Sequence, residues 1–139
     1  MRYYLDTNTL IFILDKNRNN LHYDIKEILD DYANTLLVSS VSVQELLLLF
    51  RIGKFTSLSK NKNEEAILSA IEEFGIKTVF FNENHFKEYV KLQIADGHKD
   101  INDHLIISQA ISDKIPLISS DTDFKDYVSQ GLKFIYNKR

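Results

Sequence analysis

Four acidic residues that are far apart in the sequence have the chemical type and the placement to form a metal site. Asp6 directly follows the strand-like run RYYL, and Asp121 follows PLISS. Glu45 and Asp103 each lie in the first turn of a helix-like segment, SVQELLLLFRI and DINDHLIISQA. Clustered carboxylates repel one another unless a cation or a proton lies among them, and all-oxygen ligands favour hard ions such as Mg²⁺ or Mn²⁺. If the four acids converge, they predict metal-assisted phosphodiester hydrolysis.

Each acid also has a purely structural interpretation. Asp6 and Asp121 can cap the helices that follow them, which stabilises a helix by about 1 kcal/mol. Ser42 and Glu45 fit the capping box S-x-x-E, and Asp103 near a helix N-terminus is favoured by the helix dipole. For any single acid the structural interpretation is the more economical one. That interpretation does not require the four acids to lie on one side of one sheet, whereas a metal site does.

The hydrophobic pattern alternates between strand and helix, which predicts an α/β fold with a parallel sheet covered by helices on both faces. Strands are predicted at 2–5, 35–40, 76–81, 115–120 and 132–136. Helices are predicted at about 7–14, 22–33, 42–52, 64–74, 83–96, 100–114 and 121–131. No linker separates two domains, so residues 1–139 are predicted to form one domain. Sites in open α/β sheets lie beyond the carboxyl ends of the strands, where the strand order reverses, and the four acids belong to that rim.

The bulk composition is that of an ordinary globular protein, with 44% hydrophobic and 27% charged residues and no cysteine. The longest purely apolar stretch, 46–50, is far shorter than the roughly 20 residues of a membrane span, so we expect a cytoplasmic protein. The net charge of -3 argues mildly against a nucleic-acid binder. One stretch, 51–63, is nevertheless basic and contains no acid. A charge run of this kind is most often a solvated loop.

Several other enzyme classes lack their residues in this chain. An aspartyl-nucleophile phosphatase needs a second acid where Asn8 stands. The four glycines are isolated, so no phosphate-binding loop exists, and no G-x-S-x-G nucleophile motif occurs. The histidines lack the paired spacing of a zinc site.

Four segments in order resemble the signature segments of the PIN domain family: LDTNTLI at 5–11, SVQELL around Glu45, DHLIISQAI at 103–111 and LISSDTDF at 117–124. Their order and spacing are similar to those of the small single-domain members, the VapC-type toxins of toxin–antitoxin pairs. The resemblance implies a three-layer α/β/α domain with strand order 3-2-1-4-5. It also implies a metal-dependent endoribonuclease that uses Mg²⁺ or Mn²⁺.

The resemblance assigns roles to individual positions. Asp6, Glu45, Asp103 and Asp121 match the acidic positions of the family. Asp6, Asp103 and Asp121 are then metal ligands, and Glu45 is a ligand or the group that orients the attacking water. Asp123 matches a position that is acidic in only some members and is expected as a further ligand.

Other positions match the family less directly. Asn8, Ser39 and Ser40 match polar positions near the acids and can orient a ligand or a water. His104 departs from the small residue expected there, and we interpret it as a partly solvated helix residue. The basic stretch supplies four candidate contacts to the RNA backbone: Arg51, Lys54, Lys60 and Lys62.

The resemblance also implies an RNA substrate, an antitoxin partner and a homodimer. The helix VQELLLLF is apolar nearly all round, which core burial explains in large part and a dimer surface or an antitoxin groove explains in the remainder. The alternative is a PIN-like module that binds RNA or a protein without cutting.

Overall fold

The computed structural model describes residues 1–55 and 63–139, and within them the chain forms one parallel five-stranded sheet. The strands are β1 (Arg2–Leu5), β2 (Thr35–Ser39), β3 (Ile76–Val79), β4 (Leu117–Ser119) and β5 (Phe134–Tyr136). Their order is β3-β2-β1-β4-β5, so the order reverses between β1 and β4. This confirms the predicted α/β class and strand order.

In the described parts of the chain, six α-helices cover the sheet: α1 (Thr7–Leu14), α2 (Tyr23–Asp30), α3 (Ser40–Arg51), α4 (Glu64–Glu73), α5 (Glu83–Lys91) and α6 (Ile101–Asp113). Two 3₁₀ helices, Arg18–Asn20 and Thr122–Gln130, complete the described elements. The helix predicted at 121–131 is therefore of the tighter 3₁₀ type. The predicted helix at 22–33 begins at Tyr23 and ends at Asp30, since Asp31 has extended backbone angles.

Successive strand residues point to opposite faces of the sheet, and both faces are buried. Leu5, Val38 and Ile118 pack with α1–α4 in one core. Their neighbours Tyr4, Leu37 and Leu117 pack with α6 and the second 3₁₀ helix in the other. Two cores separated by one sheet are the three-layer arrangement.

One predicted element ends early for a reason that bears on the site. The helix expected at 83–96 stops at Lys91, and Leu92 is extended. Beyond it the backbone N–H and C=O of Gln93 bond to the side chain of Gln130, and the Ala95 N–H donates to the Tyr127 hydroxyl. Because these tertiary hydrogen bonds replace helical ones, the segment from Leu92 to Asp100 crosses toward the carboxyl ends of the strands.

Candidate active site

A small polar cavity of about 120 Å³ lies beyond the carboxyl ends of the strands. β1 and β4 are neighbours, so Asp6 and Asp121 leave the sheet side by side. α3 and α6 contribute the other two predicted acids. The residues that line the cavity are Asp6, Thr7, Asn8, Glu45, Asp100, Asp103 and Asp121. All four acids predicted from the sequence therefore face one space.

Asp6 is the most buried of these acids, with 5% of its surface exposed. It caps α1 because its Oδ1 accepts the backbone N–H of Thr9 at 2.9 Å. Its Oδ2 accepts a hydrogen bond from the hydroxyl of Ser119 at the end of β4. Capping and a place in the cavity are thus compatible functions of one side chain.

Glu45 does not serve as a capping-box residue. α3 begins two residues before Ser42 and is capped by Ser39, whose Oγ accepts the backbone N–H of Val41. The Glu45 carboxylate instead accepts a hydrogen bond from the Thr7 hydroxyl, across the cavity from its own helix. The capping-box interpretation of Glu45 is therefore wrong, and Thr7 sets the position of this acid.

Asp103 and Asp121 also line the cavity, and their carboxylates lie close together. Within the described residues, the donor atoms of His98, Asp103 and Asp121 all lie within 4.8 Å of one another. Asp121 caps the second 3₁₀ helix by accepting the backbone N–H of Asp123 at 2.9 Å. Asp100, not Asp103, caps α6, so the Asp103 carboxylate is available to the cavity.

The electrostatics of the cavity favour a bound cation. Burial raises the pKa of Asp6, and the charge of Asp121 raises it further. Burial raises the pKa of Asp103 to about 7, although the hydrogen bond from His98 opposes this. Among the described residues, no lysine or arginine forms an ion pair with any of the four acids. Oxygen donors without a protein counter-charge fit a hard divalent ion such as Mg²⁺ or Mn²⁺.

The structure places three predicted residues outside the cavity lining. Ser39 is buried, and its hydroxyl donates to Gln109 Oε1, while Ser40 Oγ accepts the backbone N–H of Phe81. Ser39 therefore joins the end of β2 to α6, and Ser40 joins the start of α3 to the segment after β3. The side chain of Asp123 is exposed. Of the predicted ligand-orienting residues, Asn8 alone lines the cavity.

The basic stretch is described only in part. Arg51 is exposed, with its Nη2 atom 3.5 Å from Glu64 Oε2, and Lys54 is exposed beyond the end of α3. Lys60 and Lys62 lie outside the described residues. The described portion fits a solvated surface, and an RNA-backbone role for these four residues stays a prediction.

Two histidines differ from their sequence interpretation. His104 is 5% exposed and its Nε2 lies 3.1 Å from the carbonyl oxygen of His98, so the expectation of a partly solvated residue is wrong. The spacing of the histidines indicated no zinc site and gave no role to His98, yet His98 contacts Asp103. His98 lies shortly before α6, the helix that carries Asp103, and this closeness in the sequence could have indicated the contact. The sequence also did not single out Thr7, which bonds to Glu45, Ser119, which bonds to Asp6, or Asp100, which lines the cavity.

In the part of the chain that the structure describes, no helix is both long and apolar enough to cross a membrane.

Comparison with known proteins places the chain in a family. No curated protein matches it. Among solved structures it is similar to VapBC2 from Rickettsia felis bound to a promoter DNA fragment, with 22% identity and a TM-score of 0.68 over 99% of this chain and 100% of that one. VapBC-1 from nontypeable Haemophilus influenzae is 20% identical, with a TM-score of 0.65 and 98% of each chain covered. A toxin–antitoxin complex from Klebsiella pneumoniae is 16% identical, with a TM-score of 0.62 over 96% and 95% of the two chains. The PIN domain family matches residues 3–129, so this chain belongs to the PIN domain family.

Proposed function

We propose that this protein is a Mg²⁺- or Mn²⁺-dependent endoribonuclease that hydrolyses RNA phosphodiester bonds. The observation that carries the proposal is the convergence of four carboxylates, from four separate parts of a PIN domain, on one cavity without a lysine or arginine counter-charge among the described residues. A substrate phosphate cannot approach four negative charges unless a cation lies between them. A divalent ion supplies that charge and lowers the pKa of a coordinated water.

We assign a separate role in the proposed reaction to each residue of the site. Asp6, Asp103 and Asp121 would hold the ion, because all three carboxylates line the cavity. Glu45, fixed by Thr7, is a further ligand or orients the attacking water. Asn8 is exposed and lines the cavity, and we expect it to contact the substrate. Hydrolysis then leaves a 5′-phosphate and a 3′-hydroxyl. Asp123 remains a proposed further ligand, although its side chain is exposed and lies outside the cavity lining.

The proposal extends to the partner. We infer that the protein is the toxin of a type II toxin–antitoxin module, as in the VapBC structures it resembles. α3 leaves Leu48 and Ile52 each 54% exposed beside the fully buried Leu46. Apolar side chains in this position suit an antitoxin segment or a second copy of the chain in a homodimer.

Cleavage of a mixed pool of structured RNAs tests the activity. Purified protein is incubated with Mg²⁺, with Mn²⁺ or with EDTA, and Asp6→Asn is purified identically as the control for contaminating nucleases. Cleavage that requires the metal and disappears in the variant supports the proposal. Equal cleavage by both proteins contradicts the assigned site. Binding of the pool without cleavage by either protein favours the non-catalytic binding module.

A further inference from the structure

His98 connects the candidate active site to the interior of the protein. It lies in the segment between α5 and α6 and is 8% exposed. Its Nε2 atom is 3.2 Å from Oδ2 of Asp103, and its Nδ1 atom is 2.7 Å from the hydroxyl oxygen of Tyr127. The ring packs edge-on against His104, with 4.7 Å between the ring centroids. Both ring nitrogens are therefore engaged, one on each side.

The hydrogen bonds around Tyr127 fix which nitrogen of His98 carries the proton. The Tyr127 oxygen already accepts the backbone N–H of Ala95 at 3.1 Å. A phenol has one proton to donate, and in the described residues its acceptor within reach is His98 Nδ1. Nε2 then carries the ring proton and donates it to the Asp103 carboxylate. When Asp103 is ionised, the opposite tautomer would set the lone pair of Nε2 against those of the carboxylate and leave the Tyr127 proton without that acceptor.

The backbone of His98 is held separately. His104, which follows Asp103 in α6, places its Nε2 atom 3.1 Å from the His98 carbonyl oxygen, so a proton there is donated to that carbonyl. The position of the His98 ring relative to α6 is thus fixed at two points. Among the described residues, the only hydrogen bond to the Asp103 carboxylate is the one from His98 to Oδ2.

We propose that His98 is a positioning residue for the metal site: its Nε2–H holds Oδ2 of Asp103 and leaves Oδ1 for the ion, and Tyr127 selects the required tautomer. The metal part of this inference rests on the proposed function. A residue that hydrogen-bonds to a metal ligand orients that ligand, and its loss typically lowers metal affinity by about 10–100-fold. His98 itself does not bind the ion, because its Nε2 atom has no free lone pair in this tautomer.

The tautomer is tested first, on the metal-free protein and without any assay of activity. Long-range ¹H–¹⁵N correlation spectra are expected to show a proton on Nε2 of His98 and a bare Nδ1. Tyr127→Phe is expected to lose this preference, whereas Tyr136→Phe, which removes an exposed phenol, keeps it. A bare Nε2 in the wild-type protein would overturn the proposal. Because this measurement needs neither metal nor RNA, it tests the hydrogen bonds from Tyr127 to His98 and from His98 to Asp103 even if the protein proves not to be a nuclease.

Metal affinity is tested next, by Mn²⁺ titration followed by electron paramagnetic resonance. His98→Leu removes the donor and is expected to weaken Mn²⁺ binding at least 10-fold. His98→Gln keeps an N–H near the position of Nε2 and is expected to recover most of the affinity, which a merely space-filling role would not produce. Circular dichroism confirms that both variants are folded. Wild-type affinity in folded His98→Leu, or a directly coordinated histidine ¹⁴N coupling in the Mn²⁺ spectrum of the wild type, would overturn the proposal.

Discussion

Ser119 donates its hydroxyl proton to Oδ2 of Asp6, and the same serine oxygen accepts the backbone N–H of Asp121 at 3.0 Å. One neutral side chain therefore joins two of the acids at the point where β1 and β4 meet. Neutral donors stabilise a buried carboxylate less than a cation does, since they leave its charge in place. Asp6 is consequently held in position while its charge remains uncompensated by the protein.

The first prediction concerns the metal-free stability of Asp6→Asn. The amide keeps an oxygen for the Thr9 N–H and offers an N–H to Ser119, but it removes a buried charge whose pKa is raised by burial. We expect Tm in EDTA to rise by roughly 3–8 °C, or about 1–2 kcal/mol for a domain of this size. Asp31→Asn, an exposed acid that accepts the Ala33 N–H, is the matched control and leaves Tm unchanged. An unchanged Tm in Asp6→Asn would mean that the acid serves only as a cap, because Asn caps about as well as Asp, and a lower Tm would contradict a repulsive cluster of acids.

The second prediction is a pH dependence of stability without metal. The pKa of Asp103 is about 7 in the folded protein and 3.8 in an unfolded chain, and the pKa of Asp6 is also raised. Groups of this kind bind their proton more tightly when the protein is folded. Their contribution to stability is therefore complete below about pH 4 and is lost as the pH rises to about 7. We expect Tm in EDTA to fall between pH 5 and pH 8.

Two comparisons attribute that fall to the site. Asp103→Asn removes one titrating group and is expected to show a shallower decline over the same pH range. Saturating Mn²⁺ is expected to restore Tm at pH 8 in the wild type, because the ion binds the ionised carboxylates of the folded state. An identical slope in wild type and Asp103→Asn would show that groups other than Asp103 cause the decline.

The third prediction concerns Thr7, which donates to Glu45. Thr7→Val keeps the shape of the side chain and removes the donor, so Glu45 is free to leave its position. We expect RNA cleavage to slow about 10-fold, with Tm changed by no more than a few degrees. Thr35→Val, at the first position of β2, is the control, because the Thr35 side chain is exposed and lies outside the cavity lining. Equal effects of the two substitutions would contradict a specific role for Thr7.

The fourth prediction concerns a hydrogen-bond network formed by Tyr4, Gln109, Asp113 and His85, which we expect to affect stability but not metal binding. The Tyr4 hydroxyl donates to Asp113 Oδ2 and accepts from Gln109 Nε2, and the Nε2 atom of His85 lies 2.9 Å from Asp113 Oδ1. Tyr4→Phe leaves two polar groups without this partner and is expected to cost about 1–3 kcal/mol of unfolding free energy. Denaturant unfolding measures the loss, with Tyr136→Phe as the exposed control. Mn²⁺ affinity is expected to stay at the wild-type value, and a tenfold loss would tie this network to the cavity.

The placement of the acids could be predicted from the sequence because it depends on local patterns. Asp6 and Asp121 each end an apolar run, and the carboxyl ends of parallel strands meet at one edge. Glu45 and Asp103 lie in the first turns of strongly patterned helices. The periodicity of the chain was therefore sufficient to bring these four residues to one rim.

The partners of the acids could not be predicted, because they depend on contacts between distant residues. Thr7 and Glu45 are 38 residues apart, and the end of α5 is set by bonds from Gln93 and Ala95 to the second 3₁₀ helix. Nothing in the local sequence at 92–96 ends a helix. His98 reaches Asp103 only because the segment leaves the helical path there.

The position of β1 in the sheet has a consequence for synthesis on the ribosome. Asp6 is translated before its contact Ser119, which follows 113 residues later. A nascent chain that has not yet reached β4 carries Asp6 and Glu45 but has neither Ser119 nor Asp121 to close the cavity. A ribonuclease of the proposed kind would thus lack a complete site until Asp121 has been translated.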